Sequence, residues 1–447
     1  MAARRQNPTQ APSFSSYLSL VIGLFLVVAL AKWGNPIILE VDVPTGTPTD
    51  FLELVYGPWP LHWAHWALIP IAILGLAVFV NSRRDVQPLS TFNLPFSIVP
   101  LLPAAWLLWQ FLSASKTISC ELTAVTITHF SVCVAFFYLG LLGLRHRDNS
   151  RIIWVCLTMG LFCALRAAFE QHFGGLEATR RMFYQTPNWQ DMPPLLLKKI
   201  AGNRVFGTLF YPNSLAGAIL LLLPIALCFA WLTARRLSRT VGWIVVLAIA
   251  GAALAALVWS GSKAGWLLEL VIGMVALWHS PVNARWKRWL TCGVLVLGLA
   301  GFALKYAGFF QKGATSVAAR FDYWKAAMHV TSEHPILGSG PGTFYLEYRK
   351  FKSPDAEMTR LCHNDYLQQA SDSGLPGAAA FVGLWVMTLV ALYRQTRARF
   401  DLMAFAVWLG LLGFCMHSFV EFHLYIPALS WTVFFLLGWA CSKTRLS

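Results

Sequence analysis

Apolar runs of about 17 to 25 residues recur from one end of the chain to the other, each about long enough to cross a hydrocarbon core of roughly 30 Å as a helix. In lipid a backbone has no water to satisfy it, so such runs must fold as helices that bond internally and pack side by side. Composition removes the soluble alternative: 57% of the 447 residues are hydrophobic, 12% are charged and 20 are tryptophan, more apolar surface than a soluble domain of this length buries. The runs begin near Tyr17, Leu61, Phe96, Leu122, Ile152, Ser214, Val241, Lys263, Arg288, Leu375, Leu402 and Leu424. The expected fold is all-α, a polytopic membrane protein of about 12 transmembrane helices with a large external loop between helices 9 and 10.

An even number of crossings puts both termini on one side. Arg4 and Arg5 precede the first run, but no small-residue cleavage site follows it, so the run is read as retained and the mature chain as beginning near Met1. Positive charge in short loops then sets the orientation. Arg83 with Arg84, Arg145 with Arg147 and Arg151, Arg235 with Arg236 and Arg239, Arg285 with Lys287 and Arg288, and Arg394 with Arg397 and Arg399 all fall on the termini's side, which is therefore cytoplasmic. Gly34 to Pro60 and His417 to His423 contain no Lys or Arg, as external segments should.

Of nine cysteines, Cys133, Cys156, Cys163 and Cys228 lie inside apolar runs, and none is paired at metal-ligand spacing. Cys120 and Cys362 fall on the outer face, where a bridge between them is chemically allowed; neither is assigned a role.

Two external segments are longer than the rest, from Gln171 to Pro212 and from Lys305 to Gly374. Function is sought there, because binding and catalytic residues concentrate on loops held by a rigid scaffold. The first carries Arg180, Arg181, Lys198, Lys199 and Arg204, and the second Arg320, Lys325, Arg349, Lys350, Lys352 and Arg360. These charges either solvate the loops and meet lipid headgroups, or they receive an anionic ligand. A phosphate or diphosphate suits such a face, since Arg offers a planar fork of donors and Lys a point charge. Nucleic acid is not an expected partner on the outer face of a membrane.

In the second segment, Ser316 to Ser332 spaces Arg320, Tyr323, Trp324, Ala327 and Met328 as a helix with one apolar face. It stops at Glu333-His334-Pro335, and Gly338-Ser339-Gly340-Pro341-Gly342 follows as a tight loop. That glycine cluster alone is weak evidence of phosphate binding, because no strand precedes it. His363-Asn364-Asp365-Tyr366-Leu367 then leads into a run broken by Gly374 and Gly377, and a polar helix entering lipid is costly unless it lines a cavity walled by protein. A lone histidine is more often structural. Here, however, Asn203 to Ala216, with Arg204 and Asn213, and Trp259 to Gly265, with Lys263, reach the same boundary, so Arg204, Lys263, Arg320 and His363 are expected around one site.

Together these motifs resemble the O-antigen ligase and O-antigen polymerase family of bacterial glycan-transfer proteins, from about Asn203 through the last run. The family is similar in its roughly twelve spans, its large periplasmic loop between the ninth and tenth, and its His-Asn-x-x-Leu signature, here His363 to Leu367, followed by a glycine pair, here Gly374 and Gly377. Its arginine before a Trp-containing helix corresponds to Arg320, its loop motif to His334 through Gly342, and its Asn-Leu-Ala entry to Asn213 through Ala216. Many members show Ser-Arg where this chain has Ser262-Lys263, which keeps the charge and loses the bidentate fork. Residues 1–202 have no such likeness and read as a transmembrane scaffold with the first long loop, residues 203–447 as the ligase-like region with its periplasmic loop 305–374. Arg166 and Glu170, like His417 and Glu421, are four residues apart and are read first as local ion pairs.

The resemblance implies transfer of a glycan from a polyprenyl (undecaprenyl) diphosphate carrier to an acceptor hydroxyl, lipid A core or a growing glycan, at the periplasmic face of a bacterial inner membrane. The diphosphate leaving group needs positive charge, assigned to Arg320 with Arg204 and Lys263, and the hydroxyl needs a base, assigned to His363. Asn213, Asn364, Tyr323 and Trp324 are read as supporting residues. Direct displacement with inversion follows. No metal and no cofactor are expected, since Asp-x-Asp is missing and Glu333, Glu347, Asp355 and Glu357 are dispersed. The signature and single dominant loop resemble the ligases most, an O-antigen, capsule or exopolysaccharide polymerase is the alternative within the family, transfer to a protein side chain stays open, and protein partners are unassigned. A transporter or flippase is the rival of another class, although the charges sit at one boundary and no repeat is detected. A scaffold for a glycan-export complex is the third reading.

Overall fold

The computed structural model describes residues 14–82, 98–143, 150–192, 197, 200–311, 315–352 and 356–444. Arg4, Arg5, Arg83, Arg84, Phe96, Arg145, Arg147, Lys198, Lys199 and Asp355 lie outside them. Among the described residues every regular element is a helix. The chain runs through α1 (Phe14–Lys32), α2 (Ile37–Asp42), α3 (Phe51–Tyr56), α4 (Leu61–Ser82), α5 (Leu102–Ala114), α6 (Cys120–Gly143), α7 (Ser150–Glu170) and α8 (Leu176–Tyr184). It continues through α9 (Pro212–Ala234), α10 (Arg239–Ser260), α11 (Lys263–His279), α12 (Ala284–Gln311), α13 (Thr315–Glu333), α14 (Phe344–Phe351), α15 (Asp365–Ala398), α16 (Leu402–His417) and α17 (Pro427–Thr444).

Six helical stretches among the described residues are long and apolar enough to cross a membrane: Cys120–Leu142, Ser150–Tyr184, Pro212–Ala234, Arg239–Ser260, Ala284–Lys305 and Asp365–Ala398. Shorter apolar helices cover Ser16–Lys32, Leu61–Ala77, Val99–Ala114 and Leu402–His417. The expected all-helical, multi-pass architecture is therefore present.

The centre of the bundle is α17, buried from Pro427 to Ser442, which packs along α6. The two backbones touch where Gly140 faces Gly438: a Cβ at either would strike a carbonyl oxygen of the other helix, Phe435 or Phe137. Small residues at such a crossing give two helices close dispersion contact where lipid offers no hydrophobic drive. Trp431 fills the space above, stacked on Phe136 with ring centroids 6.0 Å apart and flanked by Phe25, Trp33 and His129. Around this core α7 packs on α1, and α9 on α10 and α16. At the periphery α10 and α12 leave Trp243, Leu247, Leu297 and Leu304 exposed, as lipid-facing helices do.

At one end of the bundle α13 and α14 build a second small core from Tyr323, Ala326, Ala327, Phe344, Tyr348 and Cys362. Cys362 is buried there and Cys120 is exposed; both are free thiols. The link from α13 to α15 is fixed by Asp372. Its carboxylate accepts from Gly342 N at 2.9 Å and Phe344 N at 3.1 Å, from Gln368 Nε2 at 2.9 Å and from the Tyr425 hydroxyl at 2.9 Å. Ser339 N and Gly340 N donate to the carbonyls of Ser371 and Asp372 at 3.0 and 2.9 Å. The amides of the glycine loop are thus engaged by the chain itself, which ends the case for a phosphate cradle there. Two residues on, Gly374 breaks α15 at φ 72°, a conformation L-residues avoid, and Leu375 N donates to Pro335 O at 2.8 Å instead of up its own helix.

Candidate functional site

Where α9, α11, α13 and α15 begin at the capped end of the bundle, a cleft of about 550 Å³ opens, lined by Arg204, Asn213, Lys263, Arg320, Tyr323, Trp324, His363 and Glu421 among others. Arg204, Lys263, Arg320 and His363, placed together from sequence, line the same cleft, as do Asn213, Tyr323 and Trp324.

Each cation is positioned by a local device. Arg204 precedes α9, and its Nε donates to Ser260 O at 2.7 Å while Nη2 donates to Asn213 Oδ1 at 2.8 Å, tying the start of α9 to the end of α10. Lys263 opens α11 immediately after Ser262, whose hydroxyl caps the helix by accepting from Gly265 N at 3.2 Å. Arg320 leaves α13 in its second turn; its Nε donates to Val420 O at 3.1 Å and its Nη2 to Glu421 Oε1 at 2.5 Å. These contacts leave the Arg320 and Glu421 side chains 17% and 3% exposed, an ion pair largely shielded from water.

His363 sits at φ 54°, one of two non-glycine residues with positive φ among those described. A non-glycine residue held in this region points to a position fixed by its surroundings. Several contacts hold it. Trp324 Nε1 donates to its carbonyl at 3.4 Å, the Tyr323 ring lies parallel with centroids 5.8 Å apart, and Phe422 meets it edge-on at 4.6 Å. Nδ1 is buried and 3.4 Å from Glu421 Oε2. The following residue, Asn364, is the N-cap of α15, its Oδ1 accepting from Tyr366 N and Leu367 N at 3.0 Å. The His-Asn pair therefore combines a side chain turned into the cleft with the cap that starts the next helix, and Asn364 contributes through that cap.

Glu421 is the residue that sequence reasoning did not place in the site. It lies in the turn between α16 and α17, and Asp365 anchors that turn by accepting from Leu424 N at 3.1 Å while its own amide donates to Ser418 O at 2.9 Å. One carboxylate oxygen takes both Arg320 and Asn213 Nδ2, each at 2.5 Å, and the other faces His363. Burial would raise the Glu421 carboxyl, yet the Arg320 guanidinium, with His363 and His417, holds it well below the usual carboxylate range. It is an anion at any physiological pH. The expected local pair with His417 gives way to this arrangement, and His417 Nδ1 instead shares a 2.8 Å hydrogen bond with His423 Nε2. Burial, and then His417, pushes His423 well below the ordinary imidazole value. Burial also drives the Tyr323 phenol far above its usual range, so it serves the cleft as a neutral hydroxyl.

Several other basic residues of the long loops have carboxylate partners away from the cleft cations. Arg180 and Arg181 pair with Glu177, Lys350 with Glu347, and Arg360 with Asp42. Arg166 pairs with Glu170 at 3.2 Å on an exposed helix face, the local reading expected of it. The cleft walls away from the charges are apolar, formed by Ala264, Leu267, Phe302, Val317 and Ala319.

Fold and cleft together define a multi-pass helical membrane protein with a cation-lined, histidine-containing cleft at one end of its bundle. Residues 248–382 match the O-antigen ligase family model. That region, which contains Lys263, Arg320 and His363, is the part of the chain similar to the O-antigen ligase family, the family its motifs resemble. Arg204, Asn213 and Glu421 lie outside it. An uncharacterized protein of Haemophilus influenzae is 27% identical over 161 residues, a match spanning 31% of this chain and 39% of that protein. The family match over residues 248–382 supports, at that coarse level, a ligase-type, glycan-transfer function.

Proposed function

We propose that the chain transfers a glycan from a polyprenyl diphosphate carrier to an acceptor hydroxyl, most directly that of lipid A core, at the periplasmic face of a bacterial inner membrane. The observation that carries this is one cleft holding three cations and a histidine between polar and apolar walls, in a chain whose residues 248–382 match the O-antigen ligase family model. The diphosphate lies against Arg320, with Arg204 and Lys263 beside it, and the apolar wall of Leu267 and Phe302 receives the first prenyl units. The acceptor oxygen attacks the anomeric carbon as the carbon–oxygen bond to the diphosphate breaks. Its proton passes to His363, and polyprenyl diphosphate leaves with the bonding electrons, its new charge met by the cations. A single displacement of this kind inverts the anomeric centre and needs no metal. The topology that serves it has about 12 transmembrane helices with both termini cytoplasmic, a scaffold of residues 1–202, and a ligase-like region of residues 203–447 with its periplasmic loop at 305–374.

Purified protein reconstituted with a polyprenyl-diphosphate oligosaccharide and lipid A core tests the proposal. Wild type should release polyprenyl diphosphate and attach glycan, and His363→Ala should lose at least about 100-fold of that rate. Lengthening of the oligosaccharide without lipid A core would mark the protein as a polymerase of the same family. Donor left intact by wild type with every acceptor, together with movement of labelled donor across vesicles, would overturn transfer in favour of transport.

A further inference from the structure

Glu421 is a carboxylate placed in a site otherwise built of cations, and a site that only had to bind a diphosphate would be better without it. Its net effect on an anionic ligand is repulsive. Both oxygens nevertheless meet side chains of the site: Oε1 accepts from Arg320 and Asn213, and Oε2 lies 3.4 Å from Nδ1 of His363. His363 Nδ1 is buried, while the side chain as a whole keeps 24% exposure, so the imidazole meets the cleft through its Nε2 edge.

We infer that Glu421 is a positioning residue that acts through His363: its carboxylate holds the proton on Nδ1, which leaves the lone pair on Nε2 turned to the cleft. An imidazole has one donor and one acceptor nitrogen when neutral, and the partner of the first decides which face the second presents. Among the described residues, Glu357 is the other carboxylate lining this cleft. The charged and titratable groups around the pair include Arg320 and Tyr323 from α13, Arg204 and Tyr211 ahead of α9, Lys263 from α11, Glu357 from the loop before His363, Asp365 from α15, His417 from the end of α16 and His423 from the turn after it. Among these only the Glu421 carboxylate is seen within ion-pair reach of Nδ1. The same anion shares Arg320 with any diphosphate, so it weakens diphosphate binding while it prepares the base, and it favours release of the diphosphate product.

The base role of His363 rests on the transfer function proposed above, whereas its tautomer can be read without turnover. Nitrogen-15 spectra of histidine-labelled protein in detergent, with the His363 signals assigned by their loss in His363→Ala, should show Nδ1 protonated in wild type. In Glu421→Gln the amide keeps its oxygen on Arg320 and Asn213 and turns its NH₂ toward Nδ1, so the tautomer should reverse to Nε2–H. Binding of inorganic pyrophosphate to the same variant should tighten by about tenfold, the effect of removing one negative charge at partly shielded range. Transfer should fall by about 100-fold or more, and adding His363→Ala to Glu421→Gln should cost little further, far less than His363→Ala costs in wild type. Glu421→Asp, which keeps the charge on a shorter arm, should keep the wild-type tautomer and lose less activity. An unchanged tautomer in Glu421→Gln, or effects of the two substitutions that multiply, would overturn the positioning role. Wild type that consumes no donor yet shows the tautomer switch would overturn transfer alone.

Discussion

Replacing Arg320 by alanine should destabilise the protein as well as inactivate it, and the size of the loss follows from what is left behind. The guanidinium makes one bond to the Val420 carbonyl at 3.1 Å and one to Glu421 Oε1 at 2.5 Å, and the carboxylate it serves is 3% exposed. Removing one partner of a buried ion pair costs about 3–5 kcal/mol, because the other charge stays buried. Asn213 and His363 remain beside Glu421, so the lower end applies, roughly 3 kcal/mol. For a chain of this size that is a fall of roughly 3–6 °C in the unfolding midpoint, measured in detergent by thermal size-exclusion or intrinsic fluorescence.

The pH dependence gives the sharper check. Glu421 has its folded-state value depressed below its unfolded one, so its contribution is complete above the unfolded value of about 4.3 and is lost as pH falls toward the folded value. Without Arg320 that depression shrinks and the variant has less to lose in acid. The gap between wild type and Arg320→Ala should be full at neutral pH and narrow below about pH 4.3. Arg320→Lys, which keeps a point charge but cannot reach Val420 O and Glu421 together, should fall between the two. Equal midpoints at pH 7, or a gap that holds constant into acid, would refute the placement of Arg320 against a buried carboxylate.

Asp372→Asn turns an acceptor of four donors into a group that must aim its own NH₂ at one of them, and should lower stability by roughly 2–3 kcal/mol, visible as an earlier thermal transition and faster proteolysis of the 334–344 link. Gly374→Ala meets both a positive φ and the Ile336 carbonyl oxygen, and should cost at least about 2 kcal/mol in the same melt, whereas alanine at Gly301, which faces open space, should leave the midpoint within about 0.5 kcal/mol of wild type. Lys263→Arg restores the fork common in the family and should bind inorganic pyrophosphate at least as tightly as wild type, while Lys263→Ala should weaken it by about tenfold in calorimetry.

Much of this architecture was legible in the sequence because lipid permits so few solutions. Apolar length alone called for helices, and Gly374 declared where one breaks. The four cleft residues Arg204, Lys263, Arg320 and His363 were legible for a related reason: all lie on segments at or beyond the same boundary, Arg320 on a helix of the long external loop, so a topology with sides brings them to one end. The glycine cluster at 338–342 was less readable. Its partner is Asp372, 30 residues on from Gly342 and hidden among Gln368, Ser371 and Ser373 in a segment that reads only as polar. Pattern gives the loop but not the carboxylate that fills it.

Glu421 shows the other limit of sequence. As one acidic residue in a short turn without lysine or arginine, it has a ready local explanation in His417 one turn earlier. What makes it part of the site is tertiary: Asp365 holds the turn against the start of α15, and that brings the carboxylate under Arg320, Asn213 and His363, which come from three different helices or their approaches. A cluster of cations predicts an anionic ligand in general, but it says nothing about an internal anion that competes with that ligand. The competition has a physical use. Without it, three cations would bind a diphosphate donor and its diphosphate product alike, and tight binding of both does nothing for turnover. In the transfer proposed above, a buried carboxylate that moderates the cations and orients the histidine would place the favourable interactions where charge develops, at the oxygen leaving the anomeric carbon.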